Sequence, residues 1–109
     1  MGKESKPHGH VSLNEISDFL TRLKKIASKY GEVRHIILFG SFARGDASAT
    51  SDIDLAFSLS DISKWGVIAQ EIRETAKTLR KLDMVCFEKI GGDFRKKILK
   101  EGTMIYEKC

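Results

Sequence analysis

The sequence predicts an α/β domain, with a mixed sheet of about four strands and helices packed mainly on one face. Three observations predict it. Segments 13–30 and 61–80 carry apolar residues at steps of three and four, the period of a helix with one buried face. Segments 33–39, 52–57, 81–87 and 104–106 are short runs rich in β-branched and aliphatic residues, the pattern of strands. Clusters of Gly, Ser and Asp separate the two kinds of segment.

Residues 1–11, with Gly2, Pro7, Gly9 and several charges, show no apolar pattern and read as a flexible tail ahead of a domain at 12–109. His8 and His10 read as polar tail residues. Ser12-Leu13-Asn14-Glu15 has the spacing of a capping box, which predicts a helix start at Ser12. Leu13, Ile16, Leu20, Leu23, Ala27 and Tyr30, widened by Phe19 and Ile26, give that helix one buried face up to about Tyr30, where Gly31 is placed to stop it. A stripe this wide also suits a partner helix, so self-association stays open.

The unbroken run at 36–39 suits a central strand, with His35 a polar residue at its end. Gly40 and Ser41 follow. Glycine lets the backbone approach an anion closely, and Ser41 offers a hydroxyl and an N–H at the start of a short helix through Arg44. An ordinary strand-to-helix turn reads the same way. The glycine spacing fits neither a P-loop nor a dinucleotide fingerprint. Arg44 can clamp phosphate oxygens or pair with Asp46 or an acidic residue of the Asp52–Asp54 motif. Residues 45–51 form a small, polar loop, either closing over a ligand or mobile until one binds.

In the next strand Asp52 and Asp54 project to one face, while Ile53 and Leu55 anchor the other. Asp61 is placed to cap a helix over 61–80, whose stripe is Ile62, Trp65, Ile68, Ile72, Ala76 and Leu79. At that spacing Trp65 reads as a helix–sheet contact rather than a stacking platform. The strand at 81–87 turns Leu82, Met84 and Cys86 toward the helices, and Asp83, Val85 and Phe87 toward a more open face. After Gly91-Gly92, Asp93 is a candidate cap for a short helix carrying Phe94, Ile98 and Leu99, which Gly102 ends. Met104, Ile105 and Tyr106 read as a last strand at a sheet edge. Arg95, Lys96 and Lys97 read as a solvated polar side.

Composition narrows the function classes. A chain of 109 residues suffices for one core but not for a second substrate-binding domain. Lys and Arg number 19 against 15 Asp and Glu, so the net charge is 19 − 15 = +4. That excess attracts a polyphosphate or an acidic partner but is too small and dispersed to predict direct nucleic-acid binding. Cys86 and Cys109 form neither a metal spacing nor a disulfide framework. With no secretory segment and no apolar run near the length of a membrane span, the expected location is cytoplasmic.

The carboxylates carry the chemistry. Two unit charges about 4 Å apart repel by roughly 4 kcal/mol at an effective dielectric near 20, so a cation or an added proton is the expected remedy. Oxygen-only ligands favour magnesium, manganese or calcium over zinc. If the 81–87 strand neighbours the Asp52 strand, Asp83 joins the cluster. Three carboxylates beside a Gly-Ser turn point to two-metal phosphoryl or nucleotidyl transfer.

Gly40-Ser41-Phe42-Ala43-Arg44-Gly45, then Ser51-Asp52-Ile53-Asp54-Leu55, with Asp83 in a later strand, resembles the signature of the DNA polymerase beta-type nucleotidyltransferase superfamily. The short chain and its Ala43-Arg44-Gly45 segment resemble the minimal nucleotidyltransferases within it. The likeness is specific over 36–87 and weaker over 93–106, and 1–11 lie outside it. It implies a palm-like nucleotidyltransferase fold and transfer of a nucleoside monophosphate, AMP from ATP, to an acceptor hydroxyl. It also implies two magnesium ions, with manganese as a substitute, held by Asp52 and Asp54. Asp83 helps to bind the catalytic ion and orients or deprotonates the acceptor. Gly40 and Ser41 cradle the β and γ phosphates, and Arg44 contacts the nucleotide or supports the groups that do.

Minimal nucleotidyltransferases are commonly encoded beside small helical HEPN proteins and act as antitoxins that add AMP to a toxin tyrosine, so the resemblance implies such a partner. The alternative is a non-catalytic antitoxin that binds nucleotide or partner and acts by contact alone. A polymerase fragment is disfavoured because template-binding domains are missing, and a small-molecule acceptor would need a further domain or a pocket made by a dimer.

Overall fold

The computed structural model describes residues 11–108. The expected tail, apart from Val11, lies outside the described residues with His8 and His10, and so does Cys109. Val11 itself donates its N–H to the Ala47 carbonyl at 2.8 Å and packs against the core.

In chain order the elements are α1 (Ser17–Ser28), β1 (Val33–Phe39), α2 (Ser41–Arg44), β2 (Ile53–Leu59), α3 (Trp65–Thr75), β3 (Leu82–Cys86), α4 (Gly92–Glu101) and β4 (Thr103–Glu107). Short 3₁₀ turns at Leu13–Ile16, Ile62–Lys64 and Phe87–Lys89 lead into α1 and α3 and follow β3. The four strands form one sheet in the order β3-β2-β1-β4. β1 runs antiparallel to both β2 and β4, while β2 and β3 are parallel, because α3 makes the crossover between them. The mixed sheet is thus the expected one, and β4 is an edge strand. Among the described residues no helix is long and apolar enough to cross a membrane.

Alternation along β1 and β2 sends side chains to two faces, and each face has its own core. Ile36, Leu38, Ile53, Leu55 and Phe57 face α1 and α3, where they meet Phe19, Leu23, Ile26, Ile68 and Ile72. Trp65 packs there as expected, its ring centroid 5.2 Å from that of Phe57. Lys29 and Tyr30 at the end of α1 both bond to Glu71 on α3 and tie the two helices. On the other face Ile37, Phe39, Ala56 and Ile98 form a smaller cluster under α4. A side chain on Gly102 would put its Cβ 2.5 Å from both Ile37 Cγ2 and the Ile98 carbonyl, so the close seat of α4 on β1 requires glycine there.

Local signals fared unevenly. Asp61 caps as expected, accepting from Ser63 N at 3.0 Å. The Ser12 hydroxyl makes no cap bond; its carbonyl accepts from Glu15 N at 3.0 Å and starts a 3₁₀ turn instead. α1 ends at Ser28 rather than near Tyr30, and Gly31 lies in the turn that follows. The cap of α4 is Gly91, with Asp93 inside the first turn, where its charge suits the helix dipole. Arg95 is not part of a solvated side: its guanidinium donates to the Phe87 and Glu88 carbonyls at 3.0 and 3.1 Å.

The largest departure is α3, which stops at Thr75 instead of about Arg80. Arg22 of α1 donates to the Ala76 and Lys77 carbonyls at 2.9 and 2.6 Å. Those bonds satisfy groups that another helical turn would have used, and the chain bends away at Lys77, whose φ is +23°. Leu79, expected in the buried stripe, is fully exposed. Leu79→Ala is therefore expected to change unfolding free energy by less than about 0.5 kcal/mol, whereas Ile72→Ala, at a fully buried position, costs about 2–5 kcal/mol in urea titrations.

Candidate active site

The site begins where β1 runs out. Phe39 pairs with Asp54 across the sheet, and the chain turns at Gly40 with φ +74° and ψ −153°. Only glycine fits this turn, since an added Cβ would lie 2.1 Å from Asp54 Oδ2. The single turn of α2 then carries Ser41 to Arg44 and ends on Gly45, with φ +87°. Arg44 pairs with Asp46 at 3.3 Å, one of the two partnerships its position allowed, and with Glu101 of α4 at 3.4 Å.

The loop before Asp52 is anchored rather than loose. Ala47 is buried in the core. Ser48 N donates to Ser51 Oγ at 2.8 Å, and Arg80 donates to the Ser48 and Ser51 carbonyls at 3.1 and 3.0 Å. The Arg80 guanidinium also lies over the Phe42 ring, 5.0 Å from its centroid. One arginine thus connects α2, the loop and the approach to β3.

Parallel pairing of β2 with β3 sets Asp54 directly beside Asp83, the juxtaposition that the two strand patterns anticipated. Asp54 is half-buried and Asp83 exposed. Burial first, and then the charges of Asp83 and Asp52, together raise the Asp54 carboxyl from its ordinary 3.8 to about 6, against the opposing pull of Arg44. Negative charge is in surplus here, and every donor is an oxygen, which suits a hard divalent cation. Among the described residues no three His, Cys, Asp or Glu side chains already converge on a common metal position.

A cleft of about 370 Å³ gathers Gly40, Ser41, Arg44, Asp52 and Asp54, five of the six residues singled out in the sequence. Asp83 lies beside Asp54 but outside the cleft lining. Lys97 and Glu101 of α4 complete the wall, and the sequence reading missed both. Their signal was present: 94, 97 and 101 are spaced by three and four, so Phe94, Lys97 and Glu101 share one helix face. Phe94 packs edge-on against Phe39, with ring centroids 5.7 Å apart, and so sets that face over the cleft. Lys97 therefore belongs to the site wall rather than to a merely solvated side.

Glu101 also accepts from Gly40 N at 3.4 Å, so one carboxylate faces both the Gly40 amide and Arg44. An incoming polyphosphate would meet that charge. Glu101→Gln is expected to tighten binding of magnesium–ATP about fivefold, roughly 1 kcal/mol, in calorimetric titration.

Comparison with known proteins agrees with this geometry. Residues 21–109 match the family described as polymerase beta, nucleotidyltransferase. A Methanocaldococcus jannaschii protein, MJ0604, whose name assigns it protein adenylyltransferase activity provisionally, is 34% identical in an alignment 105 residues long that covers 84% of this chain and 94% of that one. A chain of a toxin–antitoxin crystal structure with AMP-PNP superposes with a TM-score of 0.66 at 21% identity, covering 82% of this chain and 73% of that one. Another, from a tri-AMPylated Shewanella oneidensis HEPN toxin in complex with MNT antitoxin, gives 0.59 at 19% identity over 83% and 71% of the two chains. At these identities the solved structures speak for the fold. The sequence match decides the family, and the arrangement of Gly40, Ser41, Asp52, Asp54 and Asp83 agrees with it: the chain belongs to the polymerase beta nucleotidyltransferase family.

Proposed function

We propose that the cleft binds ATP with magnesium and transfers AMP to a hydroxyl of a protein partner, the partner being a HEPN toxin and this chain its antitoxin. The observation that carries the reading is the meeting of the Gly40-Ser41 turn with Asp52 and Asp54 in one cleft, with Asp83 on the adjacent strand. Family membership supplies the reaction class. The names of its relatives, a protein adenylyltransferase and an AMPylated HEPN toxin with its antitoxin, supply the acceptor.

In this mechanism the Gly40 backbone and Ser41 hold the β and γ phosphates, and Arg44 and Lys97 offer positive charge to their oxygens. Asp52 and Asp54 would hold two magnesium ions, with manganese as a substitute, and Asp83 would contribute to the ion on the acceptor side. Bound there, the ions would neutralise charge on the attacking and leaving oxygens. Asp83 orients the acceptor hydroxyl and takes its proton. The acceptor oxygen bonds to the α phosphorus, the bond from that phosphorus to the α–β bridging oxygen breaks, and pyrophosphate leaves.

Incubating the chain with a HEPN protein, ATP and magnesium should yield AMP adducts on a toxin tyrosine, read by mass spectrometry, and Asp83→Asn should remove them. A second reading, an antitoxin that acts by contact alone, is favoured by the absence of a preformed three-acid metal cluster among the described residues. It requires that Asp52→Asn/Asp54→Asn still neutralise the toxin; the catalytic reading requires that neutralisation be lost with the adducts.

A further inference from the structure

The segment between α3 and β3 presents an apolar side chain on a fixed backbone. Leu79 is fully exposed. An isolated exposed leucine is ordinary, but this one is held in place from both sides. Arg22 takes the Ala76 and Lys77 carbonyls, Arg80 N donates to Thr78 Oγ1 at 3.2 Å, and the Lys81 carbonyl accepts from Ile53 N at 2.9 Å. Lys77, with φ +23°, is the only described non-glycine residue with positive φ. The backbone bears that strain where it turns Leu79 outward.

The surroundings of Leu79 are basic and lead to the catalytic cleft. Leu79 lines a hollow of about 680 Å³ with Arg73, Glu74, Lys77 and Arg80, three cations against one anion, or 3 − 1 = +2. It also lines an adjoining hollow of about 500 Å³ with Arg80, Lys81, Ser51 and Asp52. Ser51 and Asp52 belong to the cleft wall as well, whereas Gly40, Ser41 and Arg44 do not line the hollow. A chain lying along this surface therefore approaches the carboxylates apart from the phosphate-binding turn, and Asp83 stands two residues beyond Lys81.

We propose that Leu79, with Arg73, Lys77 and Lys81 around it, docks the acceptor protein through an acidic segment that carries an apolar side chain. The proposal rests on the nucleotidyl-transfer reading for the word acceptor. Leu79 is the apolar anchor, and the surrounding cations set the charge of what it receives. A peptide fits better than a nucleic acid. Neither hollow has an aromatic side chain on which a base would stack. The rigid backbone spares the partner the cost of ordering its receptor.

The test is direct binding without nucleotide. A fluorescein-labelled peptide with tyrosine among glutamates and leucine, and its counterpart with lysine for glutamate, are titrated with the full chain at low salt and read by anisotropy. The wild-type chain should bind the acidic peptide about tenfold more tightly than the basic one. Lys77→Glu/Lys81→Glu should reverse that preference, and Leu79→Ser should weaken the acidic complex about tenfold. If circular dichroism shows that the double variant is misfolded, Arg73→Glu/Lys81→Glu replaces it. Magnesium–ATP titration of the same samples reads the cleft separately: a peptide preference that persists without ATP binding keeps the docking surface and removes the transfer reaction. Equal affinity for both peptides, with no response to charge reversal, would overturn the proposal. So would tighter binding of a single-stranded RNA oligonucleotide that the double variant abolishes.

Discussion

Asp54→Asn is expected to abolish AMP transfer and, in the metal-free protein, to raise thermal stability. The two effects have one cause. Asp54 is a half-buried carboxyl whose neighbours Asp83 and Asp52 are also acids, and its folded-state pKa is about 6 against an ordinary 3.8. Between those values the folded chain binds the proton more tightly than the unfolded chain. Stability therefore falls as pH rises through this window, and the cost is complete above it. The shift alone corresponds to at most roughly 3 kcal/mol, and solvent screening of a half-exposed group brings this to about 1 kcal/mol. Asparagine cannot ionise and escapes the cost. Thermal unfolding at neutral pH should show the variant melting about 4 °C or more above wild type, with the gap closing near pH 4. Added magnesium should reverse the order by stabilising only the wild-type chain. Transfer should fall about 10³-fold or more, because a principal ligand of the proposed ions is gone.

Gly40→Ala should be the most damaging small substitution in the site. The φ and ψ of Gly40 lie in a region essentially reserved for glycine, and the new Cβ would stand 2.1 Å from Asp54 Oδ2. Strain and displacement of the carboxylate together should cost about 2–4 kcal/mol in urea unfolding and reduce transfer nearly as far as Asp54→Asn does. Gly45→Ala is the control. Its φ is also positive at +87°, but nothing lies within 4 Å of its added Cβ. It should cost about 1–2 kcal/mol through conformation alone and leave Asp54 in place.

What the sequence revealed of this protein was what is local or periodic. Alternation in Asp52-Ile53-Asp54-Leu55 was enough to bring both acids to one side, where they line the same cleft, although β2 begins only at Ile53 and Asp52 precedes it; the pattern around Asp83 was enough to offer it as a neighbour. Parallel pairing then set Asp54 against Asp83. Less legible were features decided by contacts between elements distant in the chain. Arg22 reaches across from α1 to end α3 at Thr75, so a stripe that continues to Leu79 on paper does not continue in space. α4 lies on the acid face of the sheet, which brings Lys97, although its charge read as solvent-facing, and Glu101 into the cleft wall. Arg80, the last residue of the helix expected over 61–80, lies beyond α3, stacks on Phe42 and pins the loop before Asp52. Caps were the least secure signals, because Ser12 and Asp93 each had a backbone alternative that served the helix start as well.

We propose Gly40, Ser41, Asp52 and Asp54 as a magnesium-dependent nucleotide site. Calorimetric titration of ATP into the wild-type chain and into Asp52→Asn/Asp54→Asn, each with and without magnesium, tests it most directly. The wild-type chain should bind only when magnesium is present, and the double variant not at all. Equal binding by both proteins, or no binding by the wild-type chain at millimolar ATP with magnesium, would contradict it.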